Sequence, residues 1–206
     1  LASEGSFGPH PWLPFMAADT EVLYFIDKAR GFHLHVTDVF GETNYQMTEI
    51  ASYEELLSFA DKALFPSHAL ILRSCAREKK GEIFKGLQTK SDLESAFLEA
   101  LKVSPQKKVF VETDMRAHLN PTRMKIIEKL SQTLAKRLLS LCPCCATPGW
   151  GKIDREIGLP CSCCDRPTLG TKTEIFGCTK CSHKEKMLPS NRQLKADPGH
   201  CGYCNP

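Results

Sequence analysis

Four C-x2-C pairs crowd the last third of this 206-residue chain: Cys142 with Cys145, Cys161 with Cys164, Cys178 with Cys181, and Cys201 with Cys204. Two residues between cysteines in a tight turn aim both thiolates at one point, and two such pairs complete the tetrahedron that Zn²⁺ prefers. Ten of the eleven cysteines lie between Cys142 and Cys204, so the spacing predicts two four-cysteine sites holding two structural Zn²⁺. A disulfide framework would suit a small secreted domain, but no signal segment opens the chain. Iron–sulfur ligation and redox dithiols are the remaining alternatives. Cys144 and Cys163 sit inside knuckles and read as bystander thiols, and His183 and His200 read as neighbours, not ligands. The β-prone "KTEIFG" joins the two inner pairs, as in a zinc ribbon whose knuckles cap a hairpin. Nested pairing, inner with inner and outer with outer, is therefore expected, with sequential pairing as the alternative. Four thiolates leave no open metal position, so water activation is not expected there.

A second group of reactive residue types lies in "VETDMRAHLNPTRM", residues 111–124. The stretch begins as a buried strand and ends as a helix start. Ligands in open α/β folds sit outside the carboxyl ends of strands, and helix N-termini attract anions. Glu112, Asp114, Arg116 and His118 are thus the candidate catalytic set. The carboxylates would take a Mg²⁺ or Mn²⁺ separate from the zinc, Arg116 would hold an anion, and His118 would act as acid or base. The plain alternative is a corner in which Asp114 makes a turn and Arg116 pairs with Glu112 or Asp114. The loop "ASEGSFGPHPWLPF" adds Glu4, Ser6 and His10, and Glu42 completes a candidate pocket for a phosphorylated small molecule. Gly5 and Gly8 would let the backbone approach that ligand. No nucleophilic triad, Walker loop or H-E-x-x-H motif is present.

The elements that position these groups read as mixed α and β. "EVLYFID" and "FHLHVTDVF" are strands around the turn "KARG", with Phe32, Leu34 and Val36 on one face and His33 and His35 on the other. "SYEELLSFADKALF" opens with Ser52 and Glu55 as a capping box and stops before Pro66. "SDLESAFLEALKV" repeats the pattern with Ser91 and Glu94, and "HALILR" and "KKVFVET" are short apolar strands. Helices alternating with such strands predict an α/β sheet covered on both faces, with a mixed α+β arrangement as the alternative. Asn120 caps, and Pro121 opens, a long connecting helix over 121–141 with Met124, Ile127, Leu130, Leu134, Leu138 and Leu141 as its apolar stripe. The expected domains are 1–141, α/β, and 142–206, a zinc-ribbon-like module with two four-cysteine sites docked on the first.

Charge divides unevenly. Residues 1–119 carry 13 Lys and Arg against 17 Asp and Glu, and residues 120–206 carry 14 against 7. A basic half suggests nucleic acid or an acidic protein partner, reached through Lys180, Lys184, Lys186 and Arg192. Eight thiolates and two Zn²⁺ would lower that half from +7 to +3, which favours a solvated surface balancing anionic metal centres. Nothing approaches the roughly 20 apolar residues of a membrane span, so a cytoplasmic protein is expected. The chain begins at Leu1 without methionine and reads as a fragment or a processed form.

"GSFGPHP", "ETN" at 42–44, "FPSHALI", "ETDMRAHLNPTRM", "CPCCATPGWG" and "DPGHCGYCNP" occur in an order that resembles an uncharacterised bacterial family, domain of unknown function 6671. The resemblance covers nearly the whole chain and implies no activity. In that family a further stretch often precedes the "ASEGSFGPHP" position. Its order of strand, helix and glycine-rich loop is distantly similar to house-cleaning nucleoside triphosphate pyrophosphatases. Two functional readings stay open: a metal-dependent hydrolase of a phosphorylated or nucleotide-like ligand, and a non-enzymatic zinc module that binds nucleic acid or a protein.

Overall fold

Alternating apolar and polar side chains build the first sheet, whose strands are β1 (Ala2–Pro9), β2 (Ala17–Asp27) and β3 (Phe32–Phe40), in the order β1-β2-β3. The computed structural model describes residues 1–11, 13–74 and 81–206. Between β2 and β3, Gly31 takes the left-handed conformation (φ 68°) and Asp27 Oδ1 accepts the Arg30 N–H at 2.9 Å. Phe32, Leu34 and Val36 are buried, while His33 and His35 are exposed and stack on Tyr24, as the alternation predicts. The N-terminal stretch differs from expectation, because Ala2–Pro9 is a strand and not a loop. Gly5 serves close packing there. A Cβ at that position would lie 2.7 Å from both Glu21 Oε2 and Phe7 Cζ, and 2.8 Å from Arg123 Nη2.

The fold is mixed α+β. Its second sheet contains β4 (Met47–Ile50), β5 (Leu70–Arg73), β6 (Ile83–Leu87) and β7 (Val109–Thr113), in the order β4-β7-β5-β6. Each neighbouring pair is antiparallel. Leu70, Leu72, Val109 and Val111 form one apolar face. Against it pack Leu56 and Phe59 of α1 (Tyr53–Lys62) and Leu93 and Phe97 of α2 (Lys90–Val103). β4 and β6 were not legible in sequence. They are the edge strands, with three of four and two of five residues exposed, and so lack the apolar run that marks β5 and β7.

Helix α1 opens as expected, with Ser52 Oγ accepting the Glu55 N–H at 3.2 Å and Glu55 Oε2 accepting the Ala51 N–H at 2.7 Å. Helix α2 starts earlier than its Ser91/Glu94 pattern suggests. Thr89 is the cap: its Oγ1 accepts the Asp92 N–H at 3.1 Å and its hydroxyl donates to Asp92 Oδ2 at 2.7 Å. Helix α3 (Pro121–Leu139) buries Ile126, Leu130 and Leu134, whereas Met124 and Leu141, expected in the apolar stripe, are exposed, and the helix ends before Leu141.

The C-terminal segment carries a third antiparallel sheet of β8 (Gly151–Ile157), β9 (Thr171–Gly177) and β10 (Lys184–Met187), in the order β10-β9-β8. Two compact units result. One comprises Leu1, Tyr24–His35 and Gln132–Pro206, and the other Ala2–Leu23 and Val36–Ser131. No described helix is long and apolar enough to cross a membrane.

Candidate metal centres and a buried carboxylate pair

Cysteines from the first and third pairs gather in one cluster, Cys142, Cys145, Cys178 and Cys181, and those from the second and fourth in another, Cys161, Cys164, Cys201 and Cys204. The pairs are crossed, neither nested nor sequential. Strand length is the reason. β8 and β9 are antiparallel, with Gly151 opposite Gly177 and Ile157 opposite Thr171. The knuckle before β8 therefore meets the knuckle after β9 at one end of the ladder. The knuckle between the strands lies at the other end, roughly 20 Å away for seven residues at about 3.3 Å each. Pairs adjacent in sequence thus cannot share an ion. The chain after β10 returns to the far end, where Ala196 N–H donates to Pro160 O at 2.7 Å and Ser162 N–H to Ala196 O at 2.9 Å, and delivers the last pair.

Within each cluster the four sulfurs lie inside 4.8 Å of one another. Cys142 and Cys181 are 3.8 Å apart, Cys145 and Cys178 3.6 Å, Cys161 and Cys204 3.9 Å, and Cys164 and Cys201 3.7 Å. A tetrahedral ion with metal–sulfur bonds of about 2.3 Å sets sulfurs about 3.8 Å apart, and a disulfide needs about 2.05 Å. Both clusters can hold a metal ion. The first two knuckles share a build: Ala146 (φ 55°) and Asp165 (φ 56°) follow the second ligand, and their N–H groups donate to Cys142 O and Cys161 O. Lys180 and Cys181 N–H groups donate to Cys178 Sγ, and Cys163 N–H to Cys161 Sγ. The Thr147 hydroxyl and amide bring Cys145 down to about 6. Cys181 is favoured as thiolate by the His183 amide, yet burial and the crowded sulfurs push it up to about 12. Four thiols this close repel as thiolates, and a cation between them would favour their deprotonation.

Cys144 and Cys163 are exposed and outside both clusters, and Cys75 lies outside the described residues. His183 Nε2 pairs with Glu185 at 2.9 Å and its ring stacks on Trp150. Neither His183 nor His200 belongs to a cluster.

At the 111–124 corner the side chains largely bind one another. Glu112, 1% exposed, accepts from Arg73 Nε at 2.8 Å. Asp114 is fully buried and accepts from Arg116 Nη2 at 2.6 Å, Arg116 Nε at 3.0 Å, Arg116 N–H at 3.1 Å and Gly86 N–H at 3.1 Å. Burial opposes its charge, but Arg116 and the Gly86 amide outweigh that and hold the carboxyl below its ordinary value. His118, Glu4 and Ser6 are exposed and His10 is half-buried. Glu42 is exposed and pairs with Lys129 at 2.6 Å. Among the described residues, the candidate set of Glu4, His10, Glu42, Glu112, Asp114 and His118 brings no three ligating atoms within 4.8 Å. As folded, both corner carboxylates are engaged by guanidinium groups, and the ligand cluster expected for Mg²⁺ or Mn²⁺ is not assembled there.

His68 explains how the corner is locked. Its Nε2 accepts the Thr122 N–H at 3.2 Å, in the first turn of α3, and Nδ1 meets Ser67 Oγ at 2.9 Å. Asn120 Oδ1 accepts the Arg123 N–H at 3.0 Å, so two side chains cap one helix. Burial keeps His68 below its ordinary pKa, as an accepting nitrogen requires.

The polar cluster that sequence reasoning missed sits on β2. Asp19, Glu21 and Leu23 share its buried face, and both acids are 0% exposed. Arg123 on α3 donates to Glu21 through Nε at 2.9 Å and Nη2 at 3.1 Å, and to Met115 O through Nη1 at 2.7 Å. Its guanidinium lies 5.3 Å from the centre of the Phe7 ring. Extending the strand alternation two residues upstream of "EVLYFID" would have placed both acids on the inward face.

A family model for DUF6671, a domain of unknown function, matches residues 1–206. The chain belongs to this family. Neither a curated protein nor a solved structure matches it. In this DUF6671 protein, a groove of about 760 Å³ beside β10 is lined by Met187, Leu188, Pro189, Ser190, Arg192 and Leu194. Much of the surrounding positive charge is neutralised locally: Lys152 pairs with Glu174, Lys186 with Glu156 and Lys195 with Asp165.

Proposed function

We propose that the two four-cysteine clusters each hold a structural Zn²⁺ and that the module they clamp binds a protein partner through the apolar groove beside β10. The groove carries this reading. Leu188 and Leu194 are 65% and 66% exposed on a segment that the metal sites hold in place. Sulfur spacing favours zinc, and a filled thiolate shell favours a structural over a catalytic ion. The ion pairs of Lys152, Lys186 and Lys195 take up part of the positive charge that nucleic acid would need, which speaks for a protein partner. Metal analysis should return two zinc ions per chain. Peptides selected from a display library against the zinc-loaded chain should be apolar and lose binding in Leu194→Glu. Recovery of no such peptide, or tight salt-sensitive binding to a mixed-sequence oligonucleotide, would overturn the reading.

A hydrolase acting on a phosphorylated or nucleotide-like ligand is the second reading, and the Arg123 contact favours it. That side chain, from the 111–124 stretch, donates to Glu21 on β2 and lies 5.3 Å from the centre of the Phe7 ring, which brings the first polar stretch to the second. Turnover of some nucleotide in a panel with Mg²⁺ or Mn²⁺, abolished in a folded Asp114→Asn variant, would establish it. No turnover would eliminate it.

A further inference from the structure

Asp19 is the one buried carboxylate of the described residues with neither oxygen hydrogen-bonded. Its neighbours sharpen the anomaly. Glu21, two residues along the same strand face, repels its charge, and Arg123 is the nearby cation. Yet Arg123 directs Nε and Nη2 to Glu21 and Nη1 to Met115 O, and none of its donors reaches Asp19. Two inward carboxylates and one guanidinium leave a net negative charge inside the protein, where desolvation and Glu21 lift Asp19 to about 6. Strands do not place such a group on their apolar face without a compensating partner.

We propose that Asp19 and Glu21 form a binding site for one hard divalent cation, Mg²⁺ or Mn²⁺. Two carboxylates suit such an ion, which keeps several of its waters and needs few protein ligands. Glu21 can serve while paired, because a carboxylate offers about four acceptor positions and Arg123 occupies two. Glu4 adds negative potential, since it acts electrostatically on the same Arg123. Gly5 brings the β1 backbone up against Glu21, where an added Cβ would lie 2.7 Å from Oε2. The site shares no residue with the cysteine clusters, the partner groove or the Asp114 corner.

The test uses the full chain with its cysteine sites zinc-loaded, titrated with Mn²⁺ alone and followed by the paramagnetic resonance of free Mn²⁺. Uptake of one Mn²⁺ per chain is expected, lost in Asp19→Asn and retained in Glu42→Gln. Mn²⁺ should raise the thermal midpoint of the wild type and leave that of Asp19→Asn unmoved. Without Mn²⁺, Asp19→Asn should be at least as stable as wild type, because it removes an unpaired buried charge and keeps the shape. Should that variant misfold, selective broadening of the Gly5, Asp19 and Glu21 amide signals of wild type by Mn²⁺ decides the matter. No uptake, uptake unchanged in Asp19→Asn, or broadening elsewhere overturns the proposal.

Discussion

Arg123→Met tests the energetics of the β2–α3 connection. Methionine keeps the length and apolar stem of the side chain and removes the charge. Glu21, with 0% exposure, then loses donors at 2.9 and 3.1 Å, Met115 O loses one at 2.7 Å, and Asp19 loses the cation that offsets its charge. Removing one partner of a buried pair costs about 3–5 kcal/mol, because the other charge stays desolvated. That is a large share of the roughly 5–15 kcal/mol that holds a typical fold. Urea unfolding of the zinc-loaded protein at pH 7, followed by circular dichroism, measures the loss. Adding Glu21→Gln in the same chain should return about 2 kcal/mol, since a neutral amide is cheaper to bury than a stranded carboxylate. The sign with pH is also determined. Without Arg123 the buried carboxyls bind protons more tightly folded than unfolded, so the single variant gains stability relative to wild type as pH falls. A loss below about 1 kcal/mol, the usual worth of an exposed pair, or no recovery in the double variant, would refute the reasoning.

Crossed pairing of the cysteines predicts that the double variant Cys142→Ser/Cys178→Ser retains one metal per chain by elemental analysis, since both residues belong to one cluster; nested or sequential pairing would leave none. His68 is held below its ordinary pKa by burial. The unfolded chain therefore takes up a proton more readily, and this contribution is complete above about pH 6.5 and declines as pH falls toward the folded value. His68→Ala should cost about 1 kcal/mol as a lost helix cap and flatten that part of the stability–pH curve.

How much was legible depended on whether a local pattern carried the information. The capping box at Ser52 and Glu55 and the alternation around Phe32, Leu34 and Val36 are short-range, and both appear where the residues put them. Edge strands β4 and β6 escaped notice because each has exposed residues interrupting it and neither shows an apolar run. Arg123 escaped for a different reason: a cation in the first turn of a helix usually faces water, and only folding turns this one toward Glu21, 102 residues away in sequence. The charged run around Asp114 looked like chemistry, but Arg73, Arg116 and the Gly86 amide account for its carboxylates.

The eight clustered cysteines and their grouping into four two-sulfur units were determined by sequence alone, because C-x2-C is a local geometry that a four-residue turn can enforce. Which units share a cluster was decided by tertiary structure. A seven-residue ladder between β8 and β9 is rigid and far longer than a metal–sulfur bond, so it separates neighbours in sequence and brings together pairs that lie 33 to 43 residues apart. Likewise the acids on β2 were readable as residues, but burial without a partner is a property of the packed protein. It makes Asp19 the residue whose chemistry most needs an explanation.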